Sequence, residues 1–214
     1  IAAGKHLHLE KPPGNAYAPF KDLVEEARRK RLILQTGYLW RWHQGLVAGI
    51  EAAKKGWLGE VFMVRGTMNS DRGPEERAIE ARYGGGGLFE LSGHVIDRMV
   101  ELLGRPKTVR SWLRHDTSVP DKLADNNLAV FEFDRALGVV TQAAKMGGSG
   151  DHRSFEILGT EGSVVLNPGL PEEGARTLQV RLAGHFDSAT AALHPGFRRT
   201  RSRDQIRATV KTLL

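Results

Sequence analysis

The sequence predicts an α+β fold with a largely antiparallel, mixed open sheet and helices on one of its faces. Two observations lead to this prediction. In the first half of the chain, apolar residues recur at three- and four-residue steps, as in amphipathic helices. After Pro106 they form short runs separated by turn residues, as in consecutive strands. Short strands with short turns favour antiparallel pairing, and helices followed by strands favour helices on one sheet face.

The individual elements follow from the same patterns. Before Pro106 we expect strands at 5–10, 32–38 and 59–69 and helices at 17–31, 44–55 and 88–103. The stretch 70–83 is polar and charged, and this indicates a loop with one helical turn. After Pro106 we expect strands at 108–115, 126–133, 137–143, 153–158, 163–166 and 178–182, and a helix at 205–214.

The composition narrows the class of protein. The chain has 214 residues, with 31 Lys plus Arg against 25 Asp plus Glu, which gives a formal net charge of +6. Much of the excess lies in a C-terminal segment, which contains Arg198, Arg199, Arg201, Arg203, Arg207 and Lys211. A solvated tail is the favoured interpretation, and no nucleic-acid motif supports a nucleic-acid partner. The chain has no Cys and no apolar run of about 18 residues, so we expect no membrane span and a cytoplasmic location.

One helix carries a group of residues that is suited to proton transfer. Glu90 and His94 are four residues apart, and Asp97 follows three residues later. On a continuous helix over 88–103 these three side chains share one face. The glycines at 84–87 precede the helix, and we expect them to leave its N-terminus open to a bound molecule. A neutral imidazole beside a carboxylate is a suitable proton acceptor near neutral pH.

Two other interpretations of this helix remain open. The face that carries Glu90, His94 and Asp97 is also typical of a polar surface in contact with solvent. A metal site is a third interpretation, because two side chains four residues apart on a helix can chelate an ion. With two convincing ligands and no Cys, the sequence does not lead us to predict a metal.

A second group of candidate residues lies near the start of the chain. Glu10, Lys11 and Pro12 follow the first predicted strand. Lys11 therefore lies at the carboxyl end of a strand, where α/β sheets bind their ligands. Its ammonium group can polarise a hydroxyl or stabilise the charge of a developing alkoxide.

Four segments together resemble one family. The segment 3–12, AGKHLHLEKP, resembles the AGKHVxxEKP signature of the glucose–fructose oxidoreductase / inositol dehydrogenase (Gfo/Idh/MocA) family. The segment 37–43 resembles the family's GxxxRxxP segment, with Gln44 where proline is usual. The segment 84–97 resembles GGGxLxDxGxHxxD, and 159–163 resembles a GTEGS turn. The order and approximate spacing of the four segments match the family up to about residue 168.

The resemblance implies an NAD(P)-dependent oxidoreductase that acts on a sugar, a polyol or a related hydroxy compound. By resemblance, His94 is the general base in oxidation and the general acid in reduction, and Lys11 contacts the reacting hydroxyl and the nicotinamide region. Glu90 stands where the family most often has aspartate, and it becomes the third candidate catalytic residue beside Lys11 and His94, with a side chain long enough to bind a substrate hydroxyl. Tyr38, Arg41 and Asp97 become candidate substrate-binding residues. Glu10, Lys11 and Pro12 become candidate cofactor-binding residues.

The resemblance also implies a domain organisation. Residues 1–14 would be the last strand of a truncated Rossmann domain, 15–196 the substrate-binding and oligomerisation domain, and 197–214 a basic tail or helix. The phosphate-binding glycine motif of the family is absent from these residues, so we expect NAD or NADP to bind mainly to a preceding domain. We therefore expect this chain to be inactive alone, and to form a homo-oligomer, a dimer or tetramer, through the open sheet face. An NAD-dependent glycosidase and a non-catalytic sugar-binding or oligomerisation module are the alternatives.

Overall fold

The structure is a computed structural model that describes residues 1–147, 152–167, 177–182 and 189–192. The chain divides into two compact units, of which the first is Ile1–Leu39 and the second begins at Trp40. The predicted C-terminal helix and the basic tail lie outside the described residues. Among the described residues, no helix is long and apolar enough to cross a membrane.

The first unit is a strand–helix–strand unit. It consists of β1 (Leu7–Leu9), α1 (Tyr17–Arg29) and β2 (Leu34–Thr36). The two strands pair in parallel, with Leu7 opposite Leu34, because the intervening helix returns the chain to the same end of the sheet. All three elements were predicted, and the structure adds their pairing. The assignment of 1–14 and 15–196 to different functional domains stays a prediction, because compactness does not report what a unit binds.

The second unit contains four α-helices and eight strands within the described residues. A 3₁₀ helix, Leu39–Trp42, precedes them. The helices are α2 (Gln44–Lys54), α3 (Pro74–Glu80), α4 (Gly86–Glu90) and α5 (Gly93–Leu103). The strands are β3 (Val61–Asn69), β4 (Thr108–Arg114), β5 (Asn126–Glu132), β6 (Leu137–Ala143), β7 (His152–Gly159), β8 (Gly162–Leu166), β9 (Thr177–Leu182) and β10 (Ala189–Ala192).

The eight strands form one mixed, mostly antiparallel sheet. Its order is β10-β9-β8-β7-β3-β6-β5-β4. The pair β3–β6 is parallel, and the other pairs in this sheet are antiparallel. The predicted sheet type is therefore confirmed. Strand β10 was not predicted, since its sequence Ala-Thr-Ala-Ala lacks an alternation of large apolar and polar residues.

The core lies between one face of the sheet and the helices α2 and α5. Residues that alternate along the strands, such as Val64, Val140 and Ile157, are fully buried. On α5, Val95 and Met99 are also fully buried. The prediction that helices cover one sheet face is confirmed, because a strand with period-two side chains buries only the face against which the helices pack.

Close approach between β3 and α5 depends on Gly66. A Cβ atom added there would lie 2.3 Å from Cγ1 of the buried Val95. We expect Gly66→Ala to lower the free energy of unfolding by about 1–3 kcal/mol, because the extra methyl overpacks the core. Urea unfolding measures this change. Gly84→Ala is the matched control, since a Cβ there meets nothing within 4 Å; equal loss in both variants would contradict the packing argument.

Helix α3 lies in the segment 70–83, for which a loop with one helical turn was predicted, and its 7 residues make the helical part longer than predicted. Pro74 occupies its first position, where the missing N–H costs nothing. Glu76 accepts a hydrogen bond from the backbone N–H of Gly73 at 3.1 Å, which caps the helix start. The helical part of the prediction is confirmed in kind, and its length was underestimated because the segment is mostly polar. The sequence Pro-Glu-Glu was the signal that indicated the helix start.

A buried ionic cluster ties α3 to the connection between β4 and β5. Arg77 on α3 is 2% exposed, and its guanidinium contacts Asp121 at 2.5 Å and Asp125 at 2.9 Å. Asp125 also accepts hydrogen bonds from Thr117 and from the backbone N–H of Asp116. Burial alone would raise the pKa of Asp125, but the hydrogen bonds from Thr117 and Arg77 outweigh it and lower the pKa to about 2.

Candidate active site

The helix predicted over 88–103 is interrupted. Helix α4 ends at Glu90 and α5 begins at Gly93. The carbonyl of Gly87 accepts from the N–H of Leu91 at 2.8 Å and from the N–H of Ser92 at 3.2 Å. The second bond spans five residues rather than four, which is the geometry of a wide, π-type turn.

The interruption changes the argument that linked Glu90 to His94. The two residues lie on different helices, so the rule that places side chains four residues apart on one face does not apply to them. His94 and Asp97 both belong to α5, and for this pair the three-residue spacing on one helix holds. The prediction of a continuous helix was wrong because the sequence from Leu88 to Leu103 contains no proline that would mark a break.

The glycines before α4 are packed against the protein itself. Gly86 and Gly87 are buried. A Cβ atom on Gly87 would lie 2.5 Å from Nε2 of Gln142, and one on Gly86 would lie 3.0 Å from the carbonyl oxygen of Ala124. Gly86 also has a φ of +50°, which favours glycine. The expectation that this glycine cluster leaves a helix end open to a ligand is therefore wrong for Gly86 and Gly87, whose small size serves close packing.

His94 is held in an aromatic environment. It is 4% exposed, and its ring stacks on that of Trp40, with centroids 6.0 Å apart and an interplanar angle of 21°. Trp40 in turn makes an edge contact with Phe155, with centroids 6.4 Å apart. The alternative of a solvent-exposed polar helix face is wrong for His94, because the tertiary fold covers its imidazole.

Arg41 and Asp97 form a two-pronged ion pair. The Nε and Nη2 atoms of Arg41 donate to Asp97, with the shortest contact 2.5 Å from Nη2 to Oδ1. Asp97 also accepts from the buried Arg98, at 2.8 Å from its Nη2. This geometry joins the 3₁₀ helix to α5. The substrate-binding roles of Arg41 and Asp97 stay predictions.

The structure identifies a buried acid near Glu90 that sequence reasoning missed. Glu80 is buried, and its Oε1 lies 2.8 Å from Nε of Arg72. Burial raises the pKa of Glu80, the positive charge of Arg72 opposes this rise, and the negative charge of Glu90 adds to it. Glu80 is the last residue of α3, and the sequence alone gave no sign that its carboxylate is buried.

The remaining predicted site residues lie in the first unit. Lys11 follows β1 and is half-buried, and the peptide bond between Lys11 and Pro12 is cis. The carboxylate of Glu10 lies against the backbone of Gly37, where an added Cβ would be 2.5 Å from Oε2. Tyr38 follows β2 and is half-buried. The structure thus assigns Glu10, Lys11, Pro12 and Tyr38 to the first unit and Arg41, Glu90, His94 and Asp97 to the second.

No metal cluster is found in the part of the chain that the structure describes. Within those residues, no group of three or more His, Cys, Asp or Glu side chains has an arrangement that could hold a metal ion.

Solved structures share this architecture. Levoglucosan dehydrogenase in complex with NADH aligns with a TM-score of 0.72 at 25% identity, over 93% of this chain and 55% of that chain. An inositol dehydrogenase homolog from Azotobacter vinelandii, complexed with NADH and myo-inositol, aligns with a TM-score of 0.73 at 21% identity, over 92% of this chain and 52% of its own. At that identity the second likeness shows the fold alone.

Curated relatives agree in class. An uncharacterized oxidoreductase of Schizosaccharomyces pombe is 30% identical over 77% of this chain and 47% of its own length. Levoglucosan dehydrogenase of Pseudarthrobacter phenanthrenivorans is 24% identical over 77% of this chain and 50% of its own. Inositol 2-dehydrogenase of Salmonella typhimurium is 27% identical over 66% of this chain and 41% of its own. The chain spans about half the length of the curated relatives it matches.

The matched relatives are named as oxidoreductases or dehydrogenases, and the solved structures among them share this fold over the part that the chain covers. The family model described as GFO/IDH/MocA C-terminal domain matches residues 50–165, which include Glu90, His94 and Asp97. The chain belongs to the Gfo/Idh/MocA family, as its sequence motifs had indicated.

Proposed function

We propose that this chain is the substrate-binding part of an NAD(P)-dependent oxidoreductase that acts on a sugar, a polyol or a related hydroxy compound. The observation that carries the proposal is the burial of His94, a residue that is 4% exposed and lies within the family-matched residues. The relatives support the substrate class, because they are named as levoglucosan and inositol dehydrogenases. The named complex of one relative with NADH supports a nicotinamide cofactor.

His94 is the residue that exchanges a proton with the substrate hydroxyl. In the oxidation direction, one ring nitrogen of the neutral imidazole accepts the hydroxyl proton as the alcohol becomes a carbonyl compound. In the reduction direction, the imidazolium returns that proton to the carbonyl oxygen. Glu90 accepts a hydrogen bond from a substrate hydroxyl, and so do the oxygens of Asp97 that Arg41 and Arg98 leave available.

Lys11 stabilises the negative charge that develops on the reacting oxygen, through its ammonium group. When bound, the nicotinamide supplies the acceptor or donor of the hydride. The carboxyl end of β1 fits the nicotinamide region, because parallel strands present their ligand sites at this end and Lys11 and Glu10 follow there. The glycines Gly86 and Gly87 do not fit a pyrophosphate, since the protein's own atoms fill the space beside them. We propose that the pyrophosphate binds to a preceding domain.

The other parts of the proposal concern assembly and location. We propose a homo-oligomer, a dimer or tetramer, through the sheet face opposite the core. This face carries half-buried residues such as Met63, Val139 and Thr141, a mixture of apolar and small polar side chains that suits an interface. Val139→Glu is expected to lower the oligomeric state, which light scattering measures. A cytoplasmic location belongs to the same proposal.

A substrate panel tests the proposed activity. The full-length protein, meaning the product of the complete reading frame, is assayed with polyols and sugars in the presence of NAD or NADP. We expect formation of reduced nicotinamide with at least one of them, and no activity from the 214-residue chain alone. Release of an aglycone would instead indicate the glycosidase. Binding of a sugar without turnover would indicate the non-catalytic module, and turnover by this chain alone would contradict the proposed division of labour.

A further inference from the structure

Trp40 lies between two aromatic rings in the second unit. One face of the indole stacks on the imidazole of His94, at 6.0 Å and 21°, and its edge contacts Phe155 at 90°. Trp40 is 4% exposed and Phe155 is fully buried. Aromatic pairs at these separations are attractive and have defined orientations. The indole is therefore fixed by the core, and it presents a rigid surface to His94.

A second contact joins the same two elements. Arg41 is the neighbour of Trp40 in the 3₁₀ helix, and Asp97 lies three residues after His94 on α5. The two-pronged bond between Arg41 and Asp97 thus runs beside the stack of Trp40 on His94. Two-pronged pairs of this kind fix orientation as well as distance. One stack and one ion pair together restrain both the translation and the rotation of the 3₁₀ helix against α5.

We infer that Trp40 is a positioning residue for His94, and that the Arg41–Asp97 pair keeps Trp40 in place. The inference rests on the proposed function, in which His94 exchanges a proton with the substrate. A neutral imidazole has a single acceptor nitrogen, and rotation of the ring carries that nitrogen away from the hydroxyl. Stacking on a fixed indole removes this freedom before the substrate binds, which lowers the entropic part of the barrier.

The stack itself is tested by NMR spectroscopy of isotope-labelled histidine in the full-length protein. His94→Ala identifies the His94 signals by their disappearance. We expect Trp40→Leu to shift the His94 ring signals, because the ring current of the indole is lost, and Trp40→Phe to retain most of the effect. Trp57→Leu is the matched control, since Trp57 is half-buried and contacts Lys55. Unchanged His94 signals in Trp40→Leu would overturn the inference.

Kinetics test what the stack does. Trp40→Leu is expected to lower kcat roughly 10- to 100-fold with little change in KM, since a misoriented catalytic group costs about that much. Trp40→Phe is expected to restore most of the rate, and Trp57→Leu to keep it. If Trp40→Phe fails to restore kcat, or if Trp57→Leu loses as much, the role is merely structural and the inference is wrong.

The kinetics of Asp97→Asn show whether the Arg41–Asp97 ion pair positions Trp40, since kcat and KM report different roles. If the pair positions Trp40, its loss lowers kcat, and if Asp97 also binds a substrate hydroxyl, its replacement raises KM as well. We expect Asp97→Asn to lower kcat, whether or not KM also rises. A raised KM with constant kcat would overturn the role that we assign to Arg41 and Asp97. Two results together would overturn the proposed function while leaving the stack intact. They are undiminished turnover in His94→Ala and a shift of the His94 signals when Trp40→Leu is compared with the unmodified protein. The stack would then have no catalytic role. Loss of turnover in His94→Ala, together with His94 ring signals that do not change in Trp40→Leu, would overturn the positioning role of Trp40 and leave the proposed function standing.

Discussion

Replacing His94 with alanine in the full-length protein is expected to lower kcat by roughly 10²- to 10⁴-fold, the contribution that is typical of a general acid or base. The variant loses the only group that the proposed mechanism assigns to accept the hydroxyl proton. Nicotinamide affinity is expected to change far less, because the cofactor is proposed to bind mainly outside these residues. Steady-state kinetics in both reaction directions and a fluorescence titration of reduced nicotinamide measure the two effects.

His152→Ala is the control for this experiment. It makes the same chemical change at an exposed position on β7. We expect it to keep normal turnover. Equal activity of His94→Ala and the unmodified protein would remove His94 from the catalytic role. A large fall in cofactor affinity at constant kcat would assign His94 to binding instead.

The second large effect is expected from Arg77→Ala. This change removes the guanidinium that contacts Asp121 and Asp125, and it leaves Asp125 as a buried carboxylate without its cation. Breaking a buried pair by removing one partner costs about 3–5 kcal/mol of unfolding free energy. Urea unfolding at neutral pH measures the loss.

Arg82→Ala is the matched control, because Arg82 is exposed and two residues beyond the end of α3. A surface change of this kind is expected to alter the unfolding free energy by about 0.5 kcal/mol or less. Equal effects of Arg77→Ala and Arg82→Ala would show that the buried cluster does not stabilise the fold.

The same cluster gives the stability a defined pH dependence. The pKa of Asp125 is lowered to about 2 in the folded protein. Its contribution is therefore fully present above the ordinary aspartate value near pH 4, and it is lost as the pH falls toward 2. Protonation of Asp125 is expected to lower the free energy of unfolding by about 2 kcal/mol. Arg77→Ala is expected to show a shallower decline of unfolding free energy over this range, and a parallel decline would contradict the pairing.

Local sequence patterns were sufficient to predict the type and position of most helices and strands. The strand prediction at 137–143 coincides with β6, and the helix predicted at 44–55 ends one residue from the observed end of α2. These segments have clear two-residue or three-to-four-residue periods, and turn residues bound them. Predictions were incomplete or wrong where a local signal was weak. The short, polar α3 is longer than the single helical turn that was predicted, and the continuous helix over 88–103 is interrupted at Leu91 and Ser92 without a proline.

Some residues of the candidate site could be predicted from the sequence, and others could not. His94 and Asp97 were singled out from the sequence, because imidazole and carboxylate at a helical spacing are suited to proton transfer. Trp40, Glu80 and Arg72 were not, since an apolar ring or a charged residue at one position carries no sign of its partner far along the chain. Contacts of Trp40 with His94 and Phe155 join three distant segments.

The sequence by itself determined the family, the fold class and most of the helices and strands, because motifs and hydrophobic periods are local properties of the chain. The tertiary structure decided which groups are buried and what they contact. It turned the expected polar helix face into a covered imidazole stacked on Trp40, and it closed Gly86 and Gly87 against Ala124 and Gln142. The physical reason is that burial and ion pairing depend on residues distant in sequence, which packing alone brings together.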